Sequence, residues 1–500
     1  MIAQFIDSIG PALYMLLQWD SLVFALLGMV IGIVAGAVPG IGASMALALM
    51  FPFTYDMSVH AGVLFLLSIY TGAEYGGSIS AILINTPGTG AAVVTCLEGY
   101  PMAKQGMARK ALMISLVSGV YAGIFSTIVF ILFAPALAWI GLKFGPPEMF
   151  AVAIFGISII TSMAGKSFIR GFLAACIGFL LATPGISPFS GYGRFIFNQP
   201  FMQDGIPLVP AFIGFFAIAE SLRMLETTDL EVFERMKKSS VADKLTLREL
   251  NRLTPAILRG SVIGTAIGII PGAGAAISSF ISYNEEKRWS KTPEKFGTGV
   301  PEALASPEAA NNAVVGGALI PALALGIPGS AAIAMVLGLL TIKGVIPGPL
   351  LFQESGPLVV LVFLGLIIIN LYMLLTGVVG MQLYARVADI PTKVLGPSIM
   401  LLGLTGAYAY GGSYYHMWMA FVLGVFGWFL EKIEIPVIPL ILAFILEPLV
   451  EENFIKTLLI HQGDYLVFFT RPLSAAVLGL ALVLTVFGLW SEGRRGKKTT

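Results

Sequence analysis

Residues 74–106 have the sequence EYGGSISAILINTPGTGAAVVTCLEGYPMAKQG, which concentrates Gly, Pro, Ser, Thr and Asn in a chain otherwise dominated by apolar residues. Gly and Pro interrupt helices. A freed backbone N–H or C=O group costs several kcal/mol in hydrocarbon unless protein or water satisfies it. Interrupted sequence at membrane depth is therefore typical of a segment that lines a site, and we expect the rest of the chain to hold this stretch in place.

The composition of the whole chain indicates a membrane protein. Apolar residues make up 57% and charged residues 11% of the 500 residues, and the mean hydropathy is +0.89. A soluble body of this size would need more polar surface. Charge-free runs that reach the roughly 20 residues needed to cross a bilayer occupy residues 21–55, 111–142, 171–193, 309–342, 355–385, 394–430 and 472–491. The sequence predicts an all-α polytopic membrane protein with about 10 to 14 helical elements.

Other functional classes have little support in the sequence. The formal net charge of +1 gives no indication of nucleic-acid binding, and the two cysteines, Cys96 and Cys176, have no disulfide or metal-site spacing. The sequence contains no phosphate-binding loop, nucleophile elbow or HExxH motif. We therefore expect no enzyme activity and no cofactor. If the protein transports a solute against a gradient, a sodium ion or a proton is the expected coupling ion.

Two motifs occur twice in the same order. GAVPGIGASM at residues 36–45 matches GIIPGAGAAI at residues 268–277, about 230 residues later. GGSISAILINTPGT from Gly76 matches GGALIPALALGIPGS from Gly316 with a gap of one residue. Two matched motifs in one order predict a duplicated unit.

Basic residues predict that the two copies have opposite orientations. Residues 1–20 contain no Lys or Arg, whereas eight lie between Arg223 and Arg259. By the positive-inside rule the first copy enters the membrane from outside and the second from the cytoplasm. The predicted organisation is a first half (1–222), a mixed-charge cytoplasmic linker (223–258), a second half (259–491) and a basic cytoplasmic tail (492–500) that contains Arg494, Arg495, Lys497 and Lys498.

The Pro-Gly motifs predict broken helices. About 12 residues separate Arg259 from Pro271, too few to cross a bilayer, which favours a hairpin that enters from the cytoplasm and turns near mid-membrane. Each later Pro-Gly pair ends one helix and starts another, with Thr89 and Ser330 placed to cap the new helices. The start of a half-helix carries free N–H groups and partial positive charge, which suits an anion. Inverted repeats with such breaks indicate the binding site of a secondary transporter.

Several polar residues have two open interpretations. The Gly76-Gly77 and Gly316-Gly317 pairs either permit close helix packing or line a site. Glu74 is the candidate for a buried, ion-coupling carboxylate. Three other acidic residues lie beside the motifs: Glu98, Glu302 and Glu308. They are either buried like Glu74 or face water at loop ends. Asn311 and Asn312 either bind substrate or ion, or satisfy helix ends.

Five segments occur in a characteristic order: GAVPGIGASMALALMFPFTY (36–55), YGGSISAILINTPGTGAA (75–92), GYPMAKQG (99–106), IGIIPGAGAAISSFISYNEEKR (267–288) and PEAANNAVVGGALIPALALGIPGSAA (307–332). They resemble the signature blocks of the large membrane subunit of the tripartite tricarboxylate transporters. The resemblance implies a bacterial inner-membrane carrier that works with a small four-helix membrane subunit and a periplasmic solute-binding protein. It also implies cation-coupled uptake of a citrate-like tricarboxylate or related organic acid. A passive channel or an intramembrane enzyme remains the alternative.

A carboxylate can be held by helix N-termini and by Ser, Thr and Asn donors without a buried Arg. The predicted substrate-binding residues of the first copy are Gly40, Gly42, Ala43, Ser44, Asn85, Thr86, Gly88 and Thr89. Those of the second copy are Gly272, Gly274, Ala275, Ser278, Asn312, Gly329 and Ser330. By alternating access, the site would open in turn to the periplasm, where the N-terminus is expected, and to the cytoplasm.

Overall fold

The computed structural model describes residues 2–163, 167–226, 245–387 and 392–496. Parts of two predictions lie outside these residues: the linker positions Arg235, Lys237, Lys238 and Lys244, and the tail positions Lys497 and Lys498. The described residues are almost entirely helical, and seven helices among them are long and apolar enough to cross a membrane. The prediction of an all-α polytopic membrane protein is confirmed.

Ten helices precede the linker. They are α1 (Ile2–Leu16), α2 (Trp19–Ala37), α3 (Ala43–Met50), α4 (Val59–Ile84), α5 (Ala92–Lys104), α6 (Ala108–Gly141), α7 (Pro146–Met163), α8 (Phe168–Ala182), α9 (Leu208–Phe212) and α10 (Ala219–Glu226). A π-helical turn joins α9 and α10 into one apolar span. Two short antiparallel strands, β1 (Gly185–Ile186) and β2 (Gly193–Arg194), form a hairpin between α8 and α9.

Eleven helices follow the linker within the described residues. They are α11 (Leu247–Gly268), α12 (Gly274–Trp289), α13 (Pro301–Leu325), α14 (Ala331–Ile342), α15 (Leu351–Glu354), α16 (Gly356–Val387), α17 (Thr392–Gly411), α18 (Tyr414–Lys432), α19 (Val437–Ile460), α20 (Val467–Thr470) and α21 (Pro472–Gly496). The chain has more helical segments than the sequence predicts, because helix breaks divide several apolar runs in two.

The same order of elements occurs in two parts of the chain. We call α2–α5 the first unit and α11–α14 the second unit. In each, a long helix ends at a Pro-Gly-x-Gly turn, a shorter helix follows, and a second long helix ends at a Pro-Gly turn before another short helix. Both glycines of the first turn have positive φ, at 90° and 21° for Gly40 and Gly42. The values for Gly272 and Gly274 are 81° and 66°. L-residues with a Cβ rarely adopt this conformation, which explains the glycine pattern.

Glycines let the two long helices of each unit pack closely. A Cβ atom on Gly28, Gly32 or Gly36 of α2 would lie 2.5, 2.4 or 2.1 Å from a carbonyl oxygen of α4. A Cβ atom on Gly260, Gly264 or Gly268 of α11 would lie 2.1, 2.3 or 2.8 Å from a carbonyl oxygen of α13. Small residues at helix interfaces permit such contact in membranes. The two units therefore use the same packing in the same register.

The ends of the elements meet in two groups. In one group, Lys343 after α14 donates to the carbonyl oxygens of Tyr55 and Met57, and His60 at the start of α4 lies 4.0 Å from Asp20 at the start of α2. In the other, Lys110 of α6 pairs with Glu249 of α11 at 2.5 Å. There, Arg252 near the start of α11 also lies 3.6 Å from Glu302 at the start of α13. The starts of α2 and α11 thus belong to different groups.

One length argument from the sequence does not hold. Counting from Arg259 gave a limb too short to cross a bilayer. The helix before that turn begins instead at Leu247 and is 22 residues long, because Thr246 and Glu249 form a capping box at its start. At 1.5 Å per residue this is about 33 Å. The returning helices are shorter, at 8 residues for α3 and 16 residues for α12.

Candidate functional site

The first unit brings its two turns together. The N–H group of Gly88 donates to the carbonyl oxygen of Gly77 at 3.2 Å. A Cβ atom on Gly88 would lie 1.9 Å from the carbonyl oxygen of Gly36, so only glycine fits at this crossing. A Cβ atom on Gly42 would lie 4.0 Å from the carbonyl oxygen of Gly88. Gly36, Gly42 and Gly88 therefore lie at one crossing point, as the motif pairing predicts.

The second unit has a corresponding crossing. The N–H group of Gly272 donates to the carbonyl oxygen of Gly329 at 2.9 Å. A Cβ atom on Gly329 would lie 3.4 Å from the carbonyl oxygen of Gly268. The two crossings approach each other, because a Cβ atom on Gly90 would lie 3.6 Å from that of Ala276. The residues in contact, Gly90 and Ala276, directly follow the predicted residues Thr89 and Ala275.

The helices that begin in this region differ in how their ends are satisfied. Ser330 caps α14 by accepting from the N–H of Ile333 at 3.3 Å, which confirms its predicted role. The predicted cap at Thr89 is wrong, because α5 begins beyond Ala91 and the Thr89 hydroxyl has no hydrogen-bond partner among the described residues. No side chain caps α3, α5 or α12. Three helix starts therefore present N–H groups that no side chain occupies.

Asn85 ends α4 in the left-handed conformation, at a φ of 56°. Gly326 ends α13 in the same way, at 75°. The two residues stand at the same distance before Pro87 and Pro328. The side chain of Asn85 is exposed. Its amide is therefore free to face a ligand. Its backbone ends the helix in the left-handed conformation, as that of Gly326 does in the second unit.

The other predicted residues divide into two sets. Gly40, Ala43, Ser44, Thr86 and Ala275 lie in or beside the turns. The second set lies in helix packing: Ser278 donates to the carbonyl oxygen of Ala310 at 3.4 Å, and Asn312 donates to that of Glu308 at 3.3 Å. This second set is therefore away from the helix starts.

The glycine pairs pack against neighbouring helices. A Cβ atom on Gly76 would lie 2.4 Å from the carbonyl oxygen of Ile33, and one on Gly317 would lie 2.5 Å from that of Thr265. Gly76 and Gly317 also stand at the same distance before their Pro-Gly pairs. The alignment of the two copies therefore needs no gap when Gly76 is matched with Gly317. The contacts of Gly76 and Gly317 favour the packing interpretation, whereas a Cβ atom on Gly77 would lie 2.7 Å from the hydroxyl oxygen of Thr89 in the turn.

Glu74, the predicted ion-coupling residue, is buried in α4 with an exposed fraction of 7%. Its Oε2 atom has no hydrogen-bond partner within the residues that the structure describes. Thr89 lies beside it, and Glu308 is close enough to interact with it electrostatically. A buried carboxylate without a basic partner is costly in a membrane, and such groups are usually functional.

Two carboxylates expected at loop ends are buried instead. Glu98 is fully buried and accepts hydrogen bonds from the N–H groups of Gly297, Gly299 and Val300, so it holds the segment that precedes α13. Glu308 has an exposed fraction of 1% and lies in α13. Helix α13 begins at Pro301, which carries Glu308 into the packed interior. Only Glu302 lies at a helix start, 3.6 Å from Arg252.

Sequence reasoning missed the hydroxyl groups around Glu308. Ser78 and Ser115 each donate to it at 2.8 Å, and Thr95 donates to its Oε1 atom. Ser115 lies on α6, outside the repeated motifs, and nothing in its local sequence marks it. The sequence feature nearest to such a signal is the presence of three polar residues, Glu308, Asn311 and Asn312, inside a run of small apolar residues.

A cavity of about 620 Å³ lies elsewhere, between the β1–β2 hairpin and α19. Its polar lining is mostly acidic, with Asp204, Glu447, Glu451 and Glu452. Arg194 also lines it but is paired with Glu451 at 2.6 and 3.1 Å. This lining repels carboxylates and does not suit an anionic substrate.

The fold and this region define a multi-pass helical membrane protein whose broken helices meet at a common crossing region. Residues 22–442 match the tripartite tricarboxylate transporter TctA family, and the chain belongs to that family. The predicted resemblance is confirmed. The family is one of transporters, and its name indicates a tripartite system with other subunits.

Two proteins of Agrobacterium vitis are similar to this chain. One, called "Uncharacterized 52.8 kDa protein in TAR-I ttuC' 3'region", is 34% identical over 470 residues, covering 94% of this chain and 93% of that protein. The other, called "Uncharacterized protein in TAR-II ttuC' 3'region", is 34% identical over 226 residues, covering 45% of this chain and 93% of that protein.

Proposed function

We propose that this chain is the membrane subunit of a system for cation-coupled, secondary active uptake of a carboxylate. The substrate class is a citrate-like tricarboxylate or a related organic acid. A periplasmic solute-binding protein delivers it, and a small four-helix membrane subunit assembles with the chain in the bacterial inner membrane.

The observation that carries this proposal is the set of uncapped helix starts at α3, α5 and α12. Other helices, such as α2, α13 and α19, also begin without a side-chain cap. The starts of α3, α5 and α12 differ from these because they follow the Pro-Gly turns, where Gly42 lies near Gly88 and Gly90 lies near Ala276. Uncapped starts offer backbone donors and the positive ends of helix dipoles. Such a site attracts carboxylates without a buried Arg.

The proposal treats the two units as inverted repeats that rock or slide about this site. The two groups of helix ends support that arrangement. The start of α2 and the 3₁₀ turn after α3 belong to one group. The start of α11 belongs to the other, and α12 runs back along α11, where its Glu286 pairs with Arg259. Each of these pairs therefore begins and ends on one side, and the sides differ. With the basic side facing the cytoplasm, the N-terminus is periplasmic and the C-terminus cytoplasmic.

Glu74 is the proposed coupling carboxylate of this site. It is buried, lies beside Thr89 and has an oxygen without a hydrogen-bond partner in the described residues. A proton or sodium ion bound here would offset its charge while the substrate is bound nearby. Coupling then follows, because the substrate carboxylate and an uncompensated Glu74 repel each other.

The test is uptake into proteoliposomes that contain the chain and its small partner, with the binding protein and radiolabelled citrate or other di- and tricarboxylates outside. Accumulation should require an inward sodium or proton gradient. Thr89→Val, which removes one buried hydroxyl, should lower uptake by roughly tenfold or more. Thr127→Val is the matched control, because Thr127 is buried in α6 and bonds only its own helix. Flux without a gradient indicates a channel, and product formation without accumulation an enzyme; either overturns the proposal.

A further inference from the structure

Glu308 lies at a junction of four helices. Its carboxylate belongs to α13 of the second unit, whereas the hydroxyls that bond it come from Ser78 of α4, Thr95 of α5 and Ser115 of α6. Ser78 donates to both carboxylate oxygens, Thr95 to Oε1 and Ser115 to Oε2. All four side chains are at least 98% buried. This oxygen cluster lies in helix packing, and Thr95 joins it from the first turn of the uncapped helix α5.

These contacts favour the ionised form of Glu308, whereas its burial favours the neutral form. Hydroxyl groups that donate to a carboxylate stabilise the charged state over the neutral one. Nowhere in the described ranges does a Lys, Arg or His side chain pair with Glu308. A buried negative charge without a partner costs far more than three hydroxyl bonds return. The charge is therefore offset either by a proton on the carboxyl group or by a bound cation, because the described side chains supply no positive charge. Hydroxyl oxygens lie against both carboxylate oxygens, and such oxygen-rich surroundings favour the cation.

A second observation concerns buried oxygens that lack hydrogen-bond donors. Asn312 is one helical turn after Glu308, and its amide nitrogen bonds the Glu308 carbonyl oxygen. Its Oδ1 atom has no partner among the described residues, and the same is true of the Tyr75 hydroxyl. A Cβ atom on Gly119 of α6 would contact the Asn312 amide. Glu308 and Asn312 of α13 therefore pack against the face of α6 that carries Ser115 and Gly119. Tyr75 is close enough to Glu308 for electrostatic interaction.

The ligand set indicates the class of cation. It consists of oxygen atoms from one carboxylate and three hydroxyls. The searched residues contain no group of three or more His, Cys, Asp or Glu side chains suited to a metal ion. Divalent cations such as Ca²⁺ and Mg²⁺ generally use more than one carboxylate or phosphate. One carboxylate matches a single positive charge.

We infer that Glu308, Ser78, Thr95 and Ser115 form a binding site for a small monovalent metal cation such as Na⁺. The cation takes carboxylate and hydroxyl oxygens as ligands, and the hydroxyl protons turn away to admit it. Because the ligands come from both units, occupancy ties α13 to α4, α5 and α6. Its role in coupling rests on the proposed function, whereas cation binding does not.

The test measures thermal unfolding of the purified full-length chain in detergent, at fixed ionic strength with choline as the replacement cation. Added Na⁺ should raise the melting temperature of the wild type in a saturable way, and K⁺ should raise it less. These variants are made in a Glu74→Gln background, which removes the other candidate cation site. There, Glu308→Gln should abolish the rise, and Thr95→Val or Ser115→Ala should weaken apparent Na⁺ affinity about tenfold, as expected for one lost ligand. Size-exclusion chromatography checks that the two milder variants are folded. Their Na⁺ affinities then test the site even if Glu308→Gln does not fold.

Glu98→Gln is the matched control, because Glu98 is another buried Glu that accepts three backbone N–H groups. It should lower the starting melting temperature and keep the full Na⁺ response. In the Glu74→Gln background, a Na⁺ response that survives Glu308→Gln overturns the site, as does a wild type that responds to pH but to no metal cation. A normal Na⁺ response without carboxylate uptake would overturn the proposed function and leave this site standing.

Discussion

Asn85 and Gly326 occupy matching positions and share a left-handed backbone, but only Asn85 adds an amide group. The sequence marks both positions through the Pro-Gly pairs that follow them. Sequence reasoning could not separate the backbone role of Asn85 from a ligand role, because Asn is favoured for both. The second unit supplies the comparison, since Gly326 meets the same backbone requirement without a side chain.

Replacing Asn85 by Gly tests the amide alone. The free energy of unfolding of Asn85→Gly should stay within about 1 kcal/mol of the wild-type value, because Gly adopts positive φ freely. Carboxylate uptake should fall roughly tenfold, the loss expected for one hydrogen bond to a charged ligand. Asn85→Ala should lose uptake and also about 1–2 kcal/mol of stability, because Ala is strained at this φ. Normal uptake by a stable Asn85→Gly protein would show that Asn85 has only a backbone role.

At the scale of elements, the repeated Pro-Gly-x-Gly turns were predictable, and the lengths of the helices around them were not. Positive φ at Gly40, Gly42, Gly272 and Gly274 leaves a strong sequence signal. The start of α11 was misplaced because its first turns carry Arg248 and Arg252, and charge counting treated them as linker. The cap at Thr89 was misplaced for a related reason: the turn continues to Ala91 before α5 begins.

Substituting Gly272 and Gly274, which lie in the same turn, distinguishes the cost of backbone strain from the cost of steric conflict. A Cβ atom on Gly274 meets no atom within 4 Å, whereas one on Gly272 would lie 3.0 Å from the Cα atom of Ile160. Gly274→Ala should therefore cost only the strain of positive φ, about 1–2 kcal/mol. Gly272→Ala should cost measurably more, because α7 must also shift.

Thermal or denaturant unfolding of the two variants in detergent measures this difference. Gly479→Ala is the control, because Gly479 lies within α21 and an added Cβ atom has open space. Its stability should be unchanged or slightly higher, since Ala favours helices. Equal losses for Gly272→Ala and Gly274→Ala would contradict the described packing of this turn against α7.

At the scale of the whole molecule, composition was enough to predict the fold class, and the resemblance of five segments to known signature blocks indicated the family. Burial of individual carboxylates was beyond sequence reasoning, because it depends on where distant helices pack. Glu98 and Glu308 both stand near a motif, yet Glu98 holds a loop and Glu308 bridges two units. Ser115 enters the Glu308 cluster only because α6 packs along α13.

The central claim is that one carboxylate site lies between the turns of the two units. Its most direct test uses Thr86→Cys from the first unit and Ala275→Cys from the second, each in a background that lacks Cys96 and Cys176. The rate of maleimide labelling is measured in membranes with and without a transported carboxylate. Both cysteines should be protected by the carboxylate, and at the same concentration, because both line one site. Protection at neither position, or at one position alone, would contradict the claim.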